Sequence, residues 1–440
     1  MALNTTTLIN PEKDGKITVQ NHVLEYYLKR GYLPYKKNSI KKKYLQKIDS
    51  NFLRKLKILI TLIFNSKFIL KDPKKSDIVI YDCQSTEVIE KVLPNDNYII
   101  VSTRIKRIKT LYLSRRIIFF IILNFFKRSL KQNYLAALIE IISPKFVITQ
   151  IDNSVDFYLT ARIFKNRIKF IAVQNANRGD TVWFPIEKTK KIFIPEFLCF
   201  SGYDEHLYRK KKCNVGKFEI IGSLRTSICK EYVKSEKINI NPQRYDICLL
   251  SEPHPSAGPE SDYPNVKNFA EATGKVAEYT HRLCDKKKLN LIFIGKRVQN
   301  EEASELEILF YQKYLKDYNF KIFQPSSRHD RSYEFSSYRN IMQSKLVIGH
   351  ISTMLREAFA FDKKVLQCNF TEHPDVIFPC NGLCVLNNVS YDLFEQRVLE
   401  ILSMKEAEYF NRLSVQRDFI MESSINTADF VRRKLKNYLT

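Results

Sequence analysis

Three stretches in the second half of the sequence set polar, chemistry-bearing residues at the end of a short apolar run. They are Ser251–Pro255 (SEPHP), Ser326–Asp330 (SSRHD) and Ile348–Glu357 (IGHISTMLRE). Such runs read as strands, and the carboxyl ends of strands are where an open α/β sheet gathers groups to hold a ligand. The strand Asp246–Leu250 runs through Ser251 and Glu252 into Pro253, His254 and Pro255, and the two prolines restrict the backbone around the imidazole. As a cation or as a neutral donor, His254 suits a phosphate oxygen or a departing phosphate; the alternative is an ordinary turn histidine. In Lys345–Glu357 a strand ends at Gly349, and Ser352 and Thr353 open an amphipathic helix. Two hydroxyls and the unpaired N–H groups of a helix start form a phosphate seat, or serve simply as an N-cap. Glu357, one turn on, is spaced to accept bonds from ribose hydroxyls, and His350 to orient the loop. Ser326, Ser327 and Arg328 suit contacts to a nucleotide base or its ribose, or a capped loop.

The first half has its own polar clusters at strand ends. Phe170–Val173 leads into Gln174, Asn175, Asn177, Arg178, Gly179 and Asp180. Arg178 suits a carboxylate or phosphate, Gln174, Asn175 and Asn177 suit hydroxyls, and Asp180 is the leading candidate for a proton-accepting base. Asp82, after the DIVIY strand, is its rival, and a loop held by internal Asx-type bonds is the alternative for the whole cluster. Ser223 and Arg225 follow Phe218–Ile221 within GSLRTS, where Arg225 suits a pyrophosphate, an acidic acceptor or a tie between domains.

The elements that position these groups are legible as short apolar runs separated by helical lengths. Asp77–Tyr81, Tyr98–Val101, Phe146–Thr149, Phe170–Val173, Phe197–Phe200 and Phe218–Ile221 read as strands of a first sheet. Tyr245–Leu250, Leu289–Ile294, Asn319–Phe323, Leu346–Ile348, Val365–Cys368 and Leu383–Leu386 read as a second, with helical segments near 265–286, 301–316, 334–343, 354–361 and 391–402 between them. The polar stretch Lys230–Arg244 separates the two, so the expected units are 1–235, 236–404 and a helical extension 405–440 that caps the second domain or crosses back to the first. A chain of 440 residues is long enough for two cores.

The net charge of +25, from 72 Lys and Arg against 47 Asp and Glu, points to an anionic environment or partner. The excess is concentrated in Lys36–Lys57 and Arg104–Lys131, where basic residues interleave with Leu, Ile and Phe. Apolar strips flanked by Lys and Arg suit an anionic membrane surface. Nucleic acid is the rival partner, but no RNP-like or zinc-finger spacing accompanies the charge. The longest apolar run, Ile117–Phe126, is about half the length needed to span a bilayer. The N-terminus lacks the basic and apolar regions of a cleaved signal peptide, and nine scattered cysteines without metal-ligand spacing fit a reducing cytoplasm. No metal and no bound cofactor is expected: no DxD-type acidic triplet follows a strand.

A strand leading to EPHP, a strand leading to GHIST…RE and an earlier strand leading to QNANRGD together resemble the two-domain GT-B glycosyltransferases of bacterial surface-carbohydrate biosynthesis, over most of residues 75–400. The resemblance implies an α/β fold of two Rossmann-like domains with a ligand cleft between them, the nucleotide held chiefly by the second. The His-Pro and paired-hydroxyl patterns also look like those of GT-B sialyl-, polysialyl- and CMP-Kdo transferases. On that likeness His254 and Pro255 stand where those enzymes place a phosphate-contacting histidine and its proline, and Ser352 and Thr353 where paired hydroxyls hold phosphate. The implied activity is transfer of an acidic sugar, Kdo-like or sialic-acid-like, from a CMP-linked donor to a lipid-linked surface glycan at the cytoplasmic membrane face. CDP-glycerol and polyol-phosphate transferases share related patterns, and a noncatalytic nucleotide- or glycan-binding protein is the reading from another class. Two departures stand out. No DEG-like acidic motif is present, and the QHG-type loop of related enzymes is Gln174-Asn175-Ala176 here, so the base is not carried over.

Overall fold

The computed structural model describes residues 62, 64–95, 97–104, 107–179, 191–252, 266–297, 302–325, 333–371, 376 and 378–440. In the first domain the chain order is β1 (Lys67–Ile69), β2 (Ile78–Tyr81), α1 (Thr86–Glu90), β3 (Tyr98–Val101), β4 (Thr110–Tyr112), α2 (Arg115–Leu123), α3 (Leu130–Ile142), β5 (Phe146–Thr149), α4 (Val155–Phe164), β6 (Lys169–Val173), β7 (Phe193–Cys199), α5 (Gly202–Lys210), β8 (Asn214–Ile220) and α6 (Leu224–Ser235). Six strands form one parallel sheet in the order β3-β2-β5-β6-β7-β8. Successive side chains of β2 enter opposite cores, Ile78 and Ile80 one face, Val79 and Tyr81 the other. Burial on both faces is what continuous Ile, Val and Phe runs require of a parallel strand. The small β1·β4 pair was not foreseen, because three residues carry no readable period.

The second domain contains β9 (Tyr245–Leu250), α7 (Val266–Lys287), β10 (Leu291–Ile294), α8 (Glu302–Gln312), β11 (Ile322–Phe323), α9 (Tyr333–Met342), β12 (Ser344–Gly349), α10 (Thr353–Ala360), β13 (Lys364–Asn369), β14 (Val385–Asn387) and α11 (Tyr391–Ser403). Its sheet is also parallel, ordered β11-β10-β9-β12-β13-β14. Strand order therefore reverses between β9 and β12, which opens a crevice beyond their carboxyl ends.

The C-terminal segment touches both domains: Tyr409 Oη bonds Val365 N and O in β13, and the chain then returns to the first domain. After α12 (Glu406–Asn411), α13 (Arg417–Ile420) packs on α5 and α14 (Thr427–Asn437) on α6. Val431 and Leu435 join the buried cluster that holds Ile78, Ile80 and Phe146, while Arg432 pairs with Glu231 and Lys434 with Glu196 and Glu219. One apolar core thus runs from the second sheet to one face of the first. The chain crosses it closely at Gly222, whose φ of +81° is left-handed and where a Cβ would collide with the Glu422 carbonyl oxygen.

Lys36–Lys57 lies outside the described residues. Within Arg104–Lys131, α2 buries Ile117 and turns Phe119, 62% exposed, Ile122 and Leu123 to solvent, with Phe126 beyond its end 98% exposed. No helix among the described residues is long and apolar enough to cross a membrane, and all nine cysteines are free thiols.

Candidate functional site

The loops after β6, β7 and β8 of the first sheet meet the start of α10 from the second, and nearly every described candidate residue lies on this seam. Ser352 is the N-cap of α10, its Oγ accepting from Met354 N at 3.4 Å. Thr353 Oγ1 accepts from the backbone N–H of Asn177 in the other domain at 3.0 Å. Ser223, itself the N-cap of α6, donates its hydroxyl to Glu357 Oε1 at 2.6 Å, and Tyr338 donates to Oε2 at 2.8 Å. Glu357, expected at ribose hydroxyls, is buried, and both its carboxylate oxygens are bonded to protein in this structure.

The centre of the seam is Arg356, a residue not singled out from the sequence. It is 1% exposed and forms a bidentate pair with Asp204 of α5, at 3.0 and 2.6 Å. It donates further to Ser201 Oγ, to the Ile420 carbonyl and to Asn177 Oδ1. Such a guanidinium ties three segments at once because its donors lie in one plane. The sequence signals were faint: a Ser201-x-x-Asp204 helix start, and an arginine on the apolar side of α10.

Gln174 and Arg178 also carry structural bonds. Gln174 Nε2 donates to Asp204 Oδ1 at 2.8 Å and its Oε1 accepts from Phe200 N at 2.9 Å, so it fixes the β6–β7 edge. Arg178 pairs with the fully buried Asp152, through Nε at 3.0 Å and through Nη2, and also donates to Asn175 Oδ1 at 2.8 Å. The expected carboxylate partner is thus supplied by the protein. Burial pushes the Asp152 carboxyl upward, opposed by the charge and bonds of Arg178. Asp152 was legible in principle, standing three residues beyond the FVIT strand. Asn175 N donates to the same carboxylate at 3.1 Å.

Asp82 and Arg225 are likewise bonded within the protein. The Asp82 carboxylate accepts from Thr103 Oγ1, Gln84 N and Arg104 Nε, and so anchors its loop. Arg225 donates to Ser85 Oγ at 2.7 Å within the first domain. Asp180, His254, Pro255, Ser326, Ser327 and Arg328 lie outside the described residues.

Two cavities open beside Ser352. The larger, about 120 Å³, sits at the switch point of the second sheet and is lined by Ser251 and Glu252 after β9, Gly295 and Lys296 after β10, and Ser352 and Met354. Lys296 is its cation, ion-paired to Glu252, and was missed although it follows a strand within IGK. Glu307 supports the floor by accepting from the backbone N–H groups of Lys296 and Arg297. The smaller, about 30 Å³, lies between the domains against His350, Gln367, Asn177 and Arg356. His350, expected to orient the loop of the phosphate seat, is 2% exposed and donates Nδ1–H to the Cys368 carbonyl at 2.8 Å. Burial pulls its pKa down to about 4, against the pull of that carbonyl, so a neutral ring with a lone pair on Nε2 faces the interior. Among the described residues no group of three or more His, Cys, Asp or Glu is arranged to hold a metal ion.

No protein-family model matches the sequence, and no curated protein matches it. Solved structures match its fold. One described as a UDP-N-acetylglucosamine 2-epimerase from Listeria monocytogenes aligns with a TM-score of 0.50 at 11% identity, over 83% of this chain and 97% of that one. The UDP-GlcNAc 2-epimerase from Neisseria meningitidis, solved with UDP-GlcNAc, gives 0.49 at 12% identity, over 82% and 99%. A glycosyltransferase from Rickettsia africae gives 0.44 at 13%, over 83% and 98%. At such identity the likeness concerns the fold: two parallel sheets flanked by helices in a GT-B-like arrangement of two Rossmann-like domains.

Proposed function

We propose that this chain is a GT-B-type glycosyltransferase that moves an acidic sugar from a CMP-linked donor to a lipid-linked glycan. The observation that carries the reading is the 120 Å³ cavity at the β9/β12 switch point, whose wall residue Ser352 stands next to Thr353, the acceptor of the Asn177 N–H from the first domain. A nucleotide there meets the Ser352 hydroxyl, the start of α10 and Lys296, a set suited to phosphate charge. The choice of CMP and of an acidic sugar rests on the His254-Pro255 and Ser352-Thr353 patterns. In this proposal His254 assists departure of the phosphate, and Asp180 takes the proton of the acceptor hydroxyl. Protein donors alone stabilise the leaving group. The apolar face of α2, with Phe119 and Phe126 exposed beside Arg115, Arg116, Lys127 and Arg128, rests on an anionic membrane where a lipid-linked acceptor is found.

The test is thermal stabilisation of the purified protein by CMP, CDP, UDP, GDP and ADP, repeated with Ser352→Ala and Lys296→Ala. Selective stabilisation by CMP, reduced in both variants, is expected. Indifference to every nucleotide, or a response unchanged by both substitutions, removes the reading.

A further inference from the structure

The switch-point cavity carries both signs of charge in its wall. Lys296 and Glu252 line it and are ion-paired, with side chains 42% and 14% exposed, so both charges are open to whatever enters. Beneath them Glu307, 2% exposed, is a second carboxylate. It accepts from the backbone N–H groups of Lys296 and Arg297 at 2.8 and 3.0 Å and from Ser251 Oγ. Donors that a phosphate would otherwise claim are thus committed to an internal anion. The Glu252 backbone N–H is committed as well, to Tyr311 Oη at 3.3 Å. Among the described lining residues, Lys296 is the single full positive charge and Glu252 the single negative one.

A lysine ammonium has three hydrogens, so Lys296 keeps its bond to Glu252 while donating to a phosphate. Two oxygens bonded to one nitrogen stand at most about 6 Å apart. At that separation, in a partly buried wall, the phosphate is repelled by the carboxylate with which it shares the lysine. The repulsion is offset when the ligand also turns a hydroxyl hydrogen to Glu252, because an ionised carboxylate only accepts and its hydrogen bonds are stronger than neutral ones. A ribose phosphate brings its hydroxyls with its anion. Inorganic pyrophosphate brings several charges and at most one hydrogen.

We propose that Glu252 is a specificity-determining residue of the donor seat: paired with Lys296, it selects a phosphate ester whose ribose turns a hydroxyl to its carboxylate, and it rejects inorganic phosphates that would occupy the same lysine. The inference rests on the reading that this cavity holds the donor nucleotide. Glu252 differs from Glu357 in lining the cavity, whereas Ser223 and Tyr338 engage the two Glu357 oxygens. Selection here comes from repulsion of the wrong ligand as much as from attraction of the right one.

The experiment is calorimetric binding of CMP and of dideoxy-CMP, which lacks both ribose hydroxyls, to the full chain and to Glu252→Gln, with displacement of CMP by inorganic pyrophosphate as the third measurement. The wild type is expected to bind CMP about tenfold more tightly than dideoxy-CMP. In Glu252→Gln, which keeps the shape and removes the charge, that gap is expected to narrow to within about threefold, while pyrophosphate gains about fivefold to tenfold. Equal weakening of all three ligands in the variant overturns the proposal, since an ion pair that only shapes the wall gives that result. A wild type indifferent to the ribose hydroxyls also overturns it and leaves the nucleotide reading standing. Absence of CMP binding to the wild type overturns the nucleotide reading itself and this proposal with it.

Discussion

Replacing Arg356 by Met removes the tie at the centre of the seam while keeping a side chain of similar length. The substitution deletes a bidentate ion pair at 2.6 and 3.0 Å, bonds to Ser201 and Asn177, and both bonds to the Ile420 carbonyl. Asp204, with 0% of its side chain exposed, then keeps only the neutral donors Gln174 and Ser201. Removing one partner of a buried ion pair costs about 3–5 kcal/mol because the other charge is left uncompensated. Asp204→Asn alone strands the Arg356 cation in the same way. The double variant carries no orphaned charge, so its loss falls short of the sum of the singles by about 2–3 kcal/mol, the upper end of couplings measured for contacting residues. Urea unfolding of the four proteins, followed by far-UV circular dichroism, supplies the cycle. Amide exchange adds location, since the pair joins α10 to α5 and its loss should speed exchange on both sides of the seam. Additivity within about 0.5 kcal/mol, or a single-variant loss below about 1 kcal/mol, would refute the reasoning.

Two further outcomes follow from buried and exposed groups elsewhere. His350 has a folded pKa of about 4 against 6.5 for an ordinary histidine, so the unfolded chain binds a proton first as pH falls. Stability from this group is complete above 6.5 and declines toward pH 4, by about 2–3 kcal/mol at pH 4.5. Because Asp246 and Glu219, whose carboxyls are lowered by Lys345, Lys217 and Lys434, titrate alike in both proteins, the quantity to measure is wild type minus His350→Asn from pH 7.5 to 4.5. A flat difference counts against the buried neutral ring. Phe119→Ser with Phe126→Ser should lower sedimentation with vesicles containing phosphatidylglycerol by about tenfold or more, given about 1.5–3 kcal/mol for each fully buried large apolar side chain. Equal binding by the double variant, or none by the wild type, counts against the membrane-facing role of α2.

Strand positions were legible because β2, β5, β6, β9 and β12 are short Ile-, Val- and Leu-rich runs bounded by polar residues, and the structure places them within two or three residues of the sequence expectation. The seam was half legible. That Gln174, Arg178, Ser223 and Ser352 sit at carboxyl edges follows from the strands before them. What their polar atoms bind does not, because the partners are distant in the chain: Asn177 with Thr353, Ser223 with Glu357, Asp204 with Arg356. A buried ion pair and a ligand contact draw on the same residue types, and only the fold separates Arg178, satisfied by Asp152, from a residue that waits for a substrate. Lys296 shows the converse, a single lysine after IFIG with no motif around it that nevertheless lines the switch-point cavity.

This distribution of bonds bears on how a ligand enters. Thr353 and Glu357 are occupied by groups of the first domain, whereas Ser352 is occupied only by its own helix and borders both cavities. A nucleotide that stops at Ser352 leaves the seam intact. One that claims the Thr353 hydroxyl or the Glu357 carboxylate displaces Asn177 or Ser223 and must offset the bond it breaks. The free energy of separating the domains and the affinity for such a ligand are then coupled, and substitutions that loosen the seam without touching the cavities would tighten binding of the second kind of ligand and leave the first unchanged. Ser223→Ala separates the two arrangements: it frees Glu357 Oε1 and leaves Ser352 and Lys296 in place.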